Sequence, residues 1–481
     1  MIRQRVGMAT SEASDTTVQA RRSLVVAALG TMLVLVAFTA PLSTINATAT
    51  SLDAGVSGTT WILSSMSIGL AAALLSTGTI ADDYGRRRTL VIGLLVVAAG
   101  SIVGVLIPDV TAFVLTRVVV GVGGAAVIAS SLGIIAHTFA PGPARAAASG
   151  VWGASVGAGI AIGPLLSALL ERVHSWHDAY WVLALACVVL AVAAERLVPE
   201  SRSEHQRGLD IPGALLLAAG VSALLAALVE GRQGWIEPTV IVLFAVSAVV
   251  LALFILVEYR SPTSMLDLAL LRSPAFVAAT LSAFVTGAGV IALMSYMSGF
   301  LGSALEISAV GAALLLFVWS ATSVVTALLA RRISPRIPGR VQLAVGLIGV
   351  AAGLLALTGI GENSGWTRFL PGLIIAGISS GVVNAALGRE AVASVPPGRG
   401  GMGSGANNTA RYVGSAIGVT VVAVIATHPR SGAPISGLID GWNIAAVVTA
   451  VISMIGGLLV LAAHVRVRPT APAAAVEPGP G

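Results

Sequence analysis

Two long apolar runs of the chain are joined by the sequence Gly78-Thr-Ile-Ala-Asp82-Asp-Tyr-Gly85-Arg86-Arg87-Arg88. Within these few residues one helix has to end, the chain has to reverse, and the next helix has to begin. Gly85 suits a turn that requires a positive φ angle, and Asp82 can cap the next helix or pair with a nearby arginine. The three arginines would hold the loop at one face of a membrane. The alternative is a charged loop with no role beyond this anchoring.

The composition indicates a membrane protein. Of the 481 residues, 56% are hydrophobic and only 10% are charged, and the mean hydropathy is +0.95. Soluble domains carry about 25% charged residues, and a soluble fold of this size could not hide so much apolar surface from water. The composition therefore argues against a soluble enzyme, a nucleic-acid-binding protein and a disordered chain.

Apolar stretches of about 20 residues are long enough to cross a bilayer, and the chain contains fourteen of them. They predict an all-α integral membrane protein with helices α1 to α14 at residues 23–44, 59–80, 88–107, 111–137, 146–170, 179–198, 211–230, 238–257, 275–300, 309–330, 341–360, 368–394, 404–427 and 441–464. Because fourteen is an even number, both termini are predicted on the same side of the membrane.

The placement of the 27 basic residues, all of them arginines, predicts which side that is. Arg117 lies within α4, and four arginines lie on the side opposite the N-terminus: Arg172, Arg232, Arg368 and Arg430. The remaining 22 (27 − 1 − 4) are assigned to the N-terminal side. Under the positive-inside rule both termini are cytoplasmic. The absence of lysine suggests a GC-rich bacterial genome, so the predicted location is the bacterial inner membrane.

An internal repeat divides the fourteen helices. Three pairs of positions share nearly the same separation of 254, 256 and 255 residues, namely Gly85 with Gly339, Gly121 with Gly377, and Ser149 with Ser404. Transporters built from two repeats in the same orientation are known. The predicted organisation is a cytoplasmic tail at 1–22, a six-helix bundle at 23–198, a two-helix insert with flanking loops at 199–274, a pseudo-symmetric six-helix bundle at 275–464 and a disordered tail at 465–481.

Two further features within the helices suggest function. An arginine inside a span, such as Arg117, is energetically expensive and is a functional candidate, although its side chain could also extend to the outer interface. In α5 the sequence Gly159-x-x-x-Gly163-Pro164 combines small residues that allow close helix approach with a proline that bends the helix. A generic packing face is the alternative for this second feature.

These motifs resemble those of the major facilitator superfamily. Residues 78–88 are similar to its signature G-x-x-x-D-x-x-G-R-[KR]-[KR], and residues 159–164 are similar to its antiporter motif. Fourteen helices with an extra central pair resemble the drug:proton antiporter-2 branch, over residues 23–464. The resemblance implies that an arginine at the place of Arg117 contributes to proton handling or substrate contact. It also implies a set of gating and motif residues: Gly78, Asp82, Gly85, Arg86, Arg88, Gly159, Gly163 and Pro164.

One departure from this branch concerns proton coupling. The branch usually carries an aspartate in α1 about five residues before an asparagine, and here Pro41 stands at that distance before Asn46. No acidic residue falls in the middle of a predicted span. His137 and Glu390 are the remaining candidates for carrying protons. The alternatives are an interfacial histidine and an ion pair between Glu390 and Arg389.

In the superfamily the first and fourth helices of each half line a central cavity, which implies α1, α4, α9 and α12 here. The candidate cavity residues on these helices and on α5 and α13 are Ser43, Thr44, Asn46, Arg117, Trp152, Tyr296, Met297, Asn384, Asn407, Asn408 and Tyr412. Aromatic, methionine and amide side chains suit an amphipathic organic molecule. The alternative for each residue is helix packing or an interhelical hydrogen bond.

The predicted function is secondary transport by alternating access, namely export of amphipathic organic compounds or drugs, with proton antiport left open. One alternative is a translocator of lipids or lipid precursors without proton coupling, and another is a sensor or scaffold that does not transport. The protein is not expected to be an enzyme, to hold a metal or a cofactor, or to bind nucleic acid, and a monomer in the bilayer is expected. A lysine-bearing phosphate loop is impossible because the chain has no lysine.

Overall fold

The computed structural model describes residues 2–204, 208, 210–232, 234–261, 265–330, 337–427 and 434–462. In these residues all regular structure is helical, and fourteen helices are long and apolar enough to cross a membrane. The predicted fold class, with fourteen spanning helices, is therefore confirmed. The helices α1 to α14 are Ile2–Thr39, Val56–Tyr84, Arg86–Leu106, Val110–Thr138, Pro143–Val173, His177–Leu197, Ile211–Glu230, Pro238–Arg260, Pro274–Leu305, Ala309–Leu329, Gly339–Ala356, Leu370–Ala393, Gly400–Thr427 and Pro434–Ala462.

Two of these helices are irregular. After α1 the chain continues, past a single turn residue, into a short helix at Pro41–Ser51. In α9 a π-helical turn at Gly287–Ile291 joins the α-helical segments Pro274–Thr286 and Ala292–Leu305. Turns of this kind are rare and occur frequently at functional sites. Short 3₁₀ helices at Leu268–Arg272 and Trp366–Phe369 precede α9 and α12.

Several helices begin with a side chain that accepts a hydrogen bond from a free backbone N–H group. Asp109 accepts from the N–H of Ala112 (2.7 Å) at the start of α4. Asp210 caps α7 in the same way through Gly213 (2.9 Å). Ordinary short-range chemistry therefore sets these helix starts.

The helices α1 to α6 form one six-helix set and α9 to α14 form the second. Helices α5 and α13 each pack against both sets. α5 contacts α1 on one side and α10 and α12 on the other, and α13 contacts α9 on one side and α2 on the other. Glycines make these approaches close. A Cβ atom on Gly159 would lie 2.5 Å from the carbonyl oxygen of Met32 in α1, and one on Gly150 would lie 2.9 Å from that of Ala327 in α10. The two sets therefore meet along α5–α10 and α2–α13.

The helices α7 and α8 form a peripheral pair. They pack on each other, and α7 also contacts α2 and α13. Ser247 in α8 donates a hydrogen bond to the carbonyl oxygen of Gly220 in α7 (2.9 Å). Only 17% of the apolar window of α8 is buried inside the protein, so most of this helix is left for contact with lipid.

The close packing of α2 on α4 makes a testable prediction. A Cβ atom on Gly121 would lie 2.9 Å from the backbone nitrogen of Leu70 and nearer still to the carbonyl oxygen of Met66. We expect Gly121→Ala to lower the thermal unfolding midpoint of the purified protein, because overpacking costs about 1–3 kcal/mol.

The matched control is Gly299→Ala on an exposed face of α9, where nothing lies within 4 Å of the added methyl group. Its midpoint should stay the same or rise slightly, since alanine favours helix more than glycine does. Equal midpoints for the two variants would contradict the packing argument.

Candidate functional site

The buried carboxylate of Asp82 connects the two six-helix sets. Its Oδ1 accepts hydrogen bonds from Nε (3.0 Å) and Nη2 (2.8 Å) of Arg86, and its Oδ2 accepts from the backbone N–H of Met402 (2.9 Å), near the start of α13. Nη2 of Arg86 also donates to the carbonyl oxygen of Gly398 (2.9 Å). Asp82 therefore pairs with an arginine, as one of the two interpretations proposed, and the helix it caps is α13 rather than α3.

A different residue caps α3. Gly85 has a φ of +131°, which permits the sharp turn. The Glu200 carboxylate, from the loop after α6, accepts from the backbone N–H groups of Arg87 (3.0 Å) and Arg88 (3.1 Å). The side chain of Arg88 is exposed and lies 3.9 Å from Glu200. We call the end of the bundle that contains the α2–α3 turn the Gly85 end. The opposite end, at the start of α4, is the Asp109 end.

A second ion pair and a close backbone contact reinforce the closure of the Gly85 end. Nη1 of Arg399 lies 2.8 Å from Oδ1 of Asp83, and both side chains are buried. A Cβ atom on Gly401 would lie 2.6 Å from the carbonyl oxygen of Gly78, so α2 and α13 touch through backbone. These contacts hold α2 against α13 at the Gly85 end.

Three adjoining cavities lie between the two sets, and Phe38 borders all of them. We name them after one lining residue each: the Arg411 cavity, the Arg232 cavity and the Pro164 cavity. Counted together with the solvent space open to them, their empty volumes are about 540, 670 and 340 Å³, respectively. Together we call them the central cavities.

The Arg411 cavity combines aromatic and polar walls. Its aromatic side chains are Phe38, Trp319 and Tyr412, and Phe38 meets Tyr412 edge to face with ring centroids 5.7 Å apart. Its polar side chains are Thr286, Ser320, Ser323, Ser380, Asn384 and Arg411. Residues of the π-helical turn in α9 also line it, so that irregularity sits at the cavity wall.

Arg411 was assigned from the sequence to the N-terminal-side segments, and the structure places it inside α13. Its side chain is 4% exposed, and Nε and Nη2 have no hydrogen-bond partner among the described residues. Its position within the predicted span 404–427 is the sequence signal that could have identified it as a membrane-embedded arginine. The π-helical turn was also missed, because the short Gly287-Ala-Gly289 sequence has no distinctive periodicity.

The Arg232 cavity contributes another positive charge. Nε and Nη2 of Arg232, in the connection between α7 and α8, lie 3.4 Å from Oγ1 of Thr420 in α13. Burial lowers the pKa of Arg232 to about 10, so its guanidinium stays charged at neutral pH.

Arg117 hydrogen-bonds to the last turn of α1, just before Pro41, and does not line the central cavities. Its Nη1 donates to the carbonyl oxygen of Ala37 (2.7 Å), and its Nη2 lies 3.5 Å from that of Phe38. In a regular helix the N–H of residue 41 would bond to the oxygen of residue 37. Pro41 has no N–H, so the arginine supplies the missing donor.

The antiporter-type motif of α5 packs on the same segment of α1. Gly159 and Gly163 bring the α5 backbone against α1, with a Cβ on Gly163 only 3.0 Å from the oxygen of Val36. Oγ of Ser167 donates to the carbonyl oxygen of Ala40 (2.8 Å), just before Pro41. Pro164 lies inside α5 and lines the smallest of the central cavities.

The structure brings Asn384 and Tyr412, among the predicted cavity residues, to the Arg411 cavity. Several of the others hydrogen-bond within or between helices. Between helices, Nε1 of Trp152 donates to Thr31 (3.0 Å) and Ser131 (3.1 Å), and Nδ2 of Asn407 donates to the oxygen of Ala279 (3.0 Å). Within one turn, Nδ2 of Asn408 donates to the oxygen of Ser404 (3.0 Å) and Oγ1 of Thr44 to that of Ala40 (3.4 Å). Asn46 is exposed, Ser43 and Tyr296 are half-buried, and Met297 is buried in the second set. Apart from Asn384 and Tyr412, none of the predicted cavity residues lines the central cavities.

The two predicted proton carriers lie at the Gly85 end. His137 is exposed in a cleft of about 1050 Å³ that Arg86 and Arg145 also line. Glu390 pairs with Nε of Arg389 at 3.0 Å. Of the residues that the structure describes, no aspartate or glutamate lines the central cavities.

Comparisons with known proteins place the chain among transporters. A family model described as Major Facilitator Superfamily matches residues 27–419. The chain is 32% identical over 374 residues to multidrug resistance protein Stp of Mycobacterium tuberculosis, which covers 77% of this chain and 69% of that protein. It is 30% identical over 411 residues to puromycin resistance protein pur8 of Streptomyces alboniger, with 82% and 81% covered. Multidrug efflux pump LfrA of Mycolicibacterium smegmatis is 29% identical over 368 residues, with 76% and 73% covered.

Solved structures share the fold. The proton:xylose symporter XylE superposes with a TM-score of 0.68 at 14% identity, covering 93% of this chain and 96% of that one. The human organic anion transporter MFSD10 superposes with a TM-score of 0.64 at 19% identity, covering 92% and 99%. At these identities the likeness concerns the fold alone.

The contacts of Asp82 predict how closure can be weakened. In sealed vesicles whose Gly85 end faces the medium, a membrane-impermeant maleimide should reach Thr286→Cys, in a Cys187→Ala background, faster when Asp82→Asn is added. Charge-assisted hydrogen bonds contribute about 1.5–3 kcal/mol, so we expect labelling to be about tenfold faster or more. Asp109→Asn is the control, because asparagine also caps helices well. Equal rates for the two variants would refute the closure.

The hydrogen bond from Arg117 to the last turn of α1 predicts that the effects of substituting Arg117 and Pro41 on stability are coupled. Arg117→Met should lower the unfolding midpoint, because the oxygen of Ala37 is left without a donor. Pro41→Ala should reduce this loss by supplying an N–H group. Measured as a double-mutant cycle by thermal unfolding, the coupling should be about 1–3 kcal/mol. Strictly additive effects would show that the two residues act independently.

Proposed function

Because the chain belongs to the Major Facilitator Superfamily, we propose that this multi-pass membrane protein exports amphipathic organic compounds, drugs among them, as a secondary transporter. The observation that carries the proposal is a set of central cavities that both six-helix sets line, with α2 held against α13 at the Gly85 end. The names of the relatives Stp, pur8 and LfrA, which refer to drug resistance or efflux, support drugs as substrates.

We further propose that the Gly85 end faces the cytoplasm of a bacterial cell and that the protein works as a monomer. The positive-inside distribution of arginine supports this orientation, with both termini on the cytoplasmic side of the inner membrane. In this orientation the described conformation is closed to the cytoplasm. Substrate would then leave the central cavities toward the Asp109 end.

The moving units in this proposal are residues 23–198 and 275–464, with the insert at 199–274 beside them and tails at 1–22 and 465–481. Reopening to the cytoplasm requires at least three interactions to break. They are the hydrogen bond from the Met402 N–H to Asp82, the one from Arg86 to the carbonyl oxygen of Gly398, and the ion pair between Asp83 and Arg399. The backbone-to-backbone contacts along α2–α13 and α5–α10 favour such rocking, because small residues leave few interlocked side chains.

Proton coupling would need a titratable group outside the central cavities. His137 and Glu390 stay our proposed carriers, and both lie at the Gly85 end. His137 shares its cleft with Arg86, the partner of Asp82. A proton on His137 would repel Arg86, and this connects protonation with the closure of that end.

The purified full chain, reconstituted into vesicles that contain a pH-sensitive dye, tests the function. With a panel of anionic, neutral and cationic amphipathic compounds, we expect at least one class to cross the membrane by a protein-dependent route, and we expect this flux to fall in Asp82→Asn but not in Asp109→Asn. Substrate-dependent proton movement would establish antiport, and flux without it would establish uncoupled export.

Two results would overturn export. Movement of a fluorescent phospholipid between leaflets, with no drug flux, would identify a lipid translocator. Saturable drug binding to the purified protein, with no flux of any compound, would identify a sensor or scaffold.

A further inference from the structure

Arg411 lines the Arg411 cavity, and no carboxylate of the described residues forms an ion pair with its guanidinium. Two of its nitrogens lack hydrogen-bond partners among the described residues, although the side chain is 4% exposed. By contrast, Arg86 is paired with Asp82, and Arg117 donates to backbone carbonyls. We propose that Arg411 binds an anionic group of the transported molecule, so that the substrates are amphipathic organic anions. This inference rests on the proposed export function and deepens it.

The charge balance of the central cavities favours an anionic substrate. A buried charge without a partner is costly, and the cost disappears when an oppositely charged group with good hydrogen-bond geometry arrives. No aspartate or glutamate of the described chain lines the central cavities, whereas Arg411 and Arg232 both do. A cationic substrate would meet two positive charges here, and an anionic one would neutralise Arg411.

The polar groups around Arg411 suit a carboxylate or a similar planar anion. Arginine presents its N–H groups as a fork that can hold two oxygens of one carboxylate. Oγ of Ser320 and Oγ of Ser323 line the same cavity and also lack partners. Asn384 adds an amide donor to this wall. Together these groups can satisfy the several lone pairs of an anion removed from water.

The remaining walls suit an apolar body. Phe38, Trp319 and Tyr412 line the Arg411 cavity, and Phe38 and Trp319 also line the Pro164 cavity. A molecule with its anionic group at Arg411 could therefore extend its apolar part past Phe38. The site thus selects molecules with one charged end and one aromatic or aliphatic end.

Three matched compounds test the inference: 4-(1-pyrenyl)butyrate, its neutral primary amide, and the corresponding trimethylammonium compound. Their binding to the purified full chain is measured by quenching of tryptophan fluorescence. We expect the carboxylate to bind about tenfold more tightly than the amide, or better, as for a hydrogen bond between charged groups. The ammonium compound should bind most weakly.

Variants locate the effect. Arg411→Gln should bring the affinities for the carboxylate and the amide together and leave the affinity for the amide nearly unchanged, whereas Arg411→Lys should keep part of the preference. The matched control is Arg272→Gln, which removes one positive charge at an exposed position in a 3₁₀ helix, and its preference should equal that of the parent protein. The carboxylate should raise the unfolding midpoint of the parent but not that of Arg411→Gln, and this readout also checks folding.

Separate outcomes overturn the inference and the export proposal. Failure of the carboxylate to bind, or equal preference in the parent and in Arg411→Gln, overturns the anion site whatever the other compounds do. In vesicles, transport of all three compounds at equal rates leaves export intact and overturns the anion preference. Arg411-dependent binding of the carboxylate without any flux leaves the anion site intact and overturns export.

Discussion

The buried carboxylate of Asp82 is the interaction on which the closed end of this protein depends. It accepts hydrogen bonds from Arg86 at the start of α3 and from the Met402 N–H at the start of α13, so one side chain neutralises an arginine and caps a helix of the opposite half. A carboxylate in this position is stable only while both partners are present. Its bond to Met402 holds α2 against α13, and the close approach of Gly78 and Gly401 follows from that contact.

The two halves meet through glycines that occupy equivalent places in α5 and α13. Each of these helices packs closely on the first helix of its own half and on a helix of the other half, with backbone facing backbone. Contacts of this kind give a precise fit but contain few interlocked side chains, so the halves can separate without repacking a core. The insert, by contrast, packs mainly on itself and on α2, which agrees with a peripheral place.

Arginines dominate the electrostatics of the centre. Pro41 stands where the resemblance to the drug:proton antiporter-2 branch implies an acid, and the backbone carbonyl that it leaves without a donor is taken by Arg117. Arg117 is bound to that carbonyl, and no acid of the described chain lines the central cavities. Arg411 and Arg232 therefore determine the charge of the cavities.

Apolar run length was enough to predict fourteen helices, because each span has to satisfy its own backbone hydrogen bonds in lipid. Local chemistry likewise predicted the turn at Gly85. The partner of Asp82 could not be predicted, because Met402 lies 320 residues away and meets it only when α2 packs on α13. Arg411 was counted with the N-terminal-side arginines although it lies within the predicted span 404–427, and only the packing of α9, α10 and α12 beside α13 shows that it lines a cavity. Sequence periodicity specifies which residues enter the membrane, whereas contacts between distant helices determine which of them face a substrate.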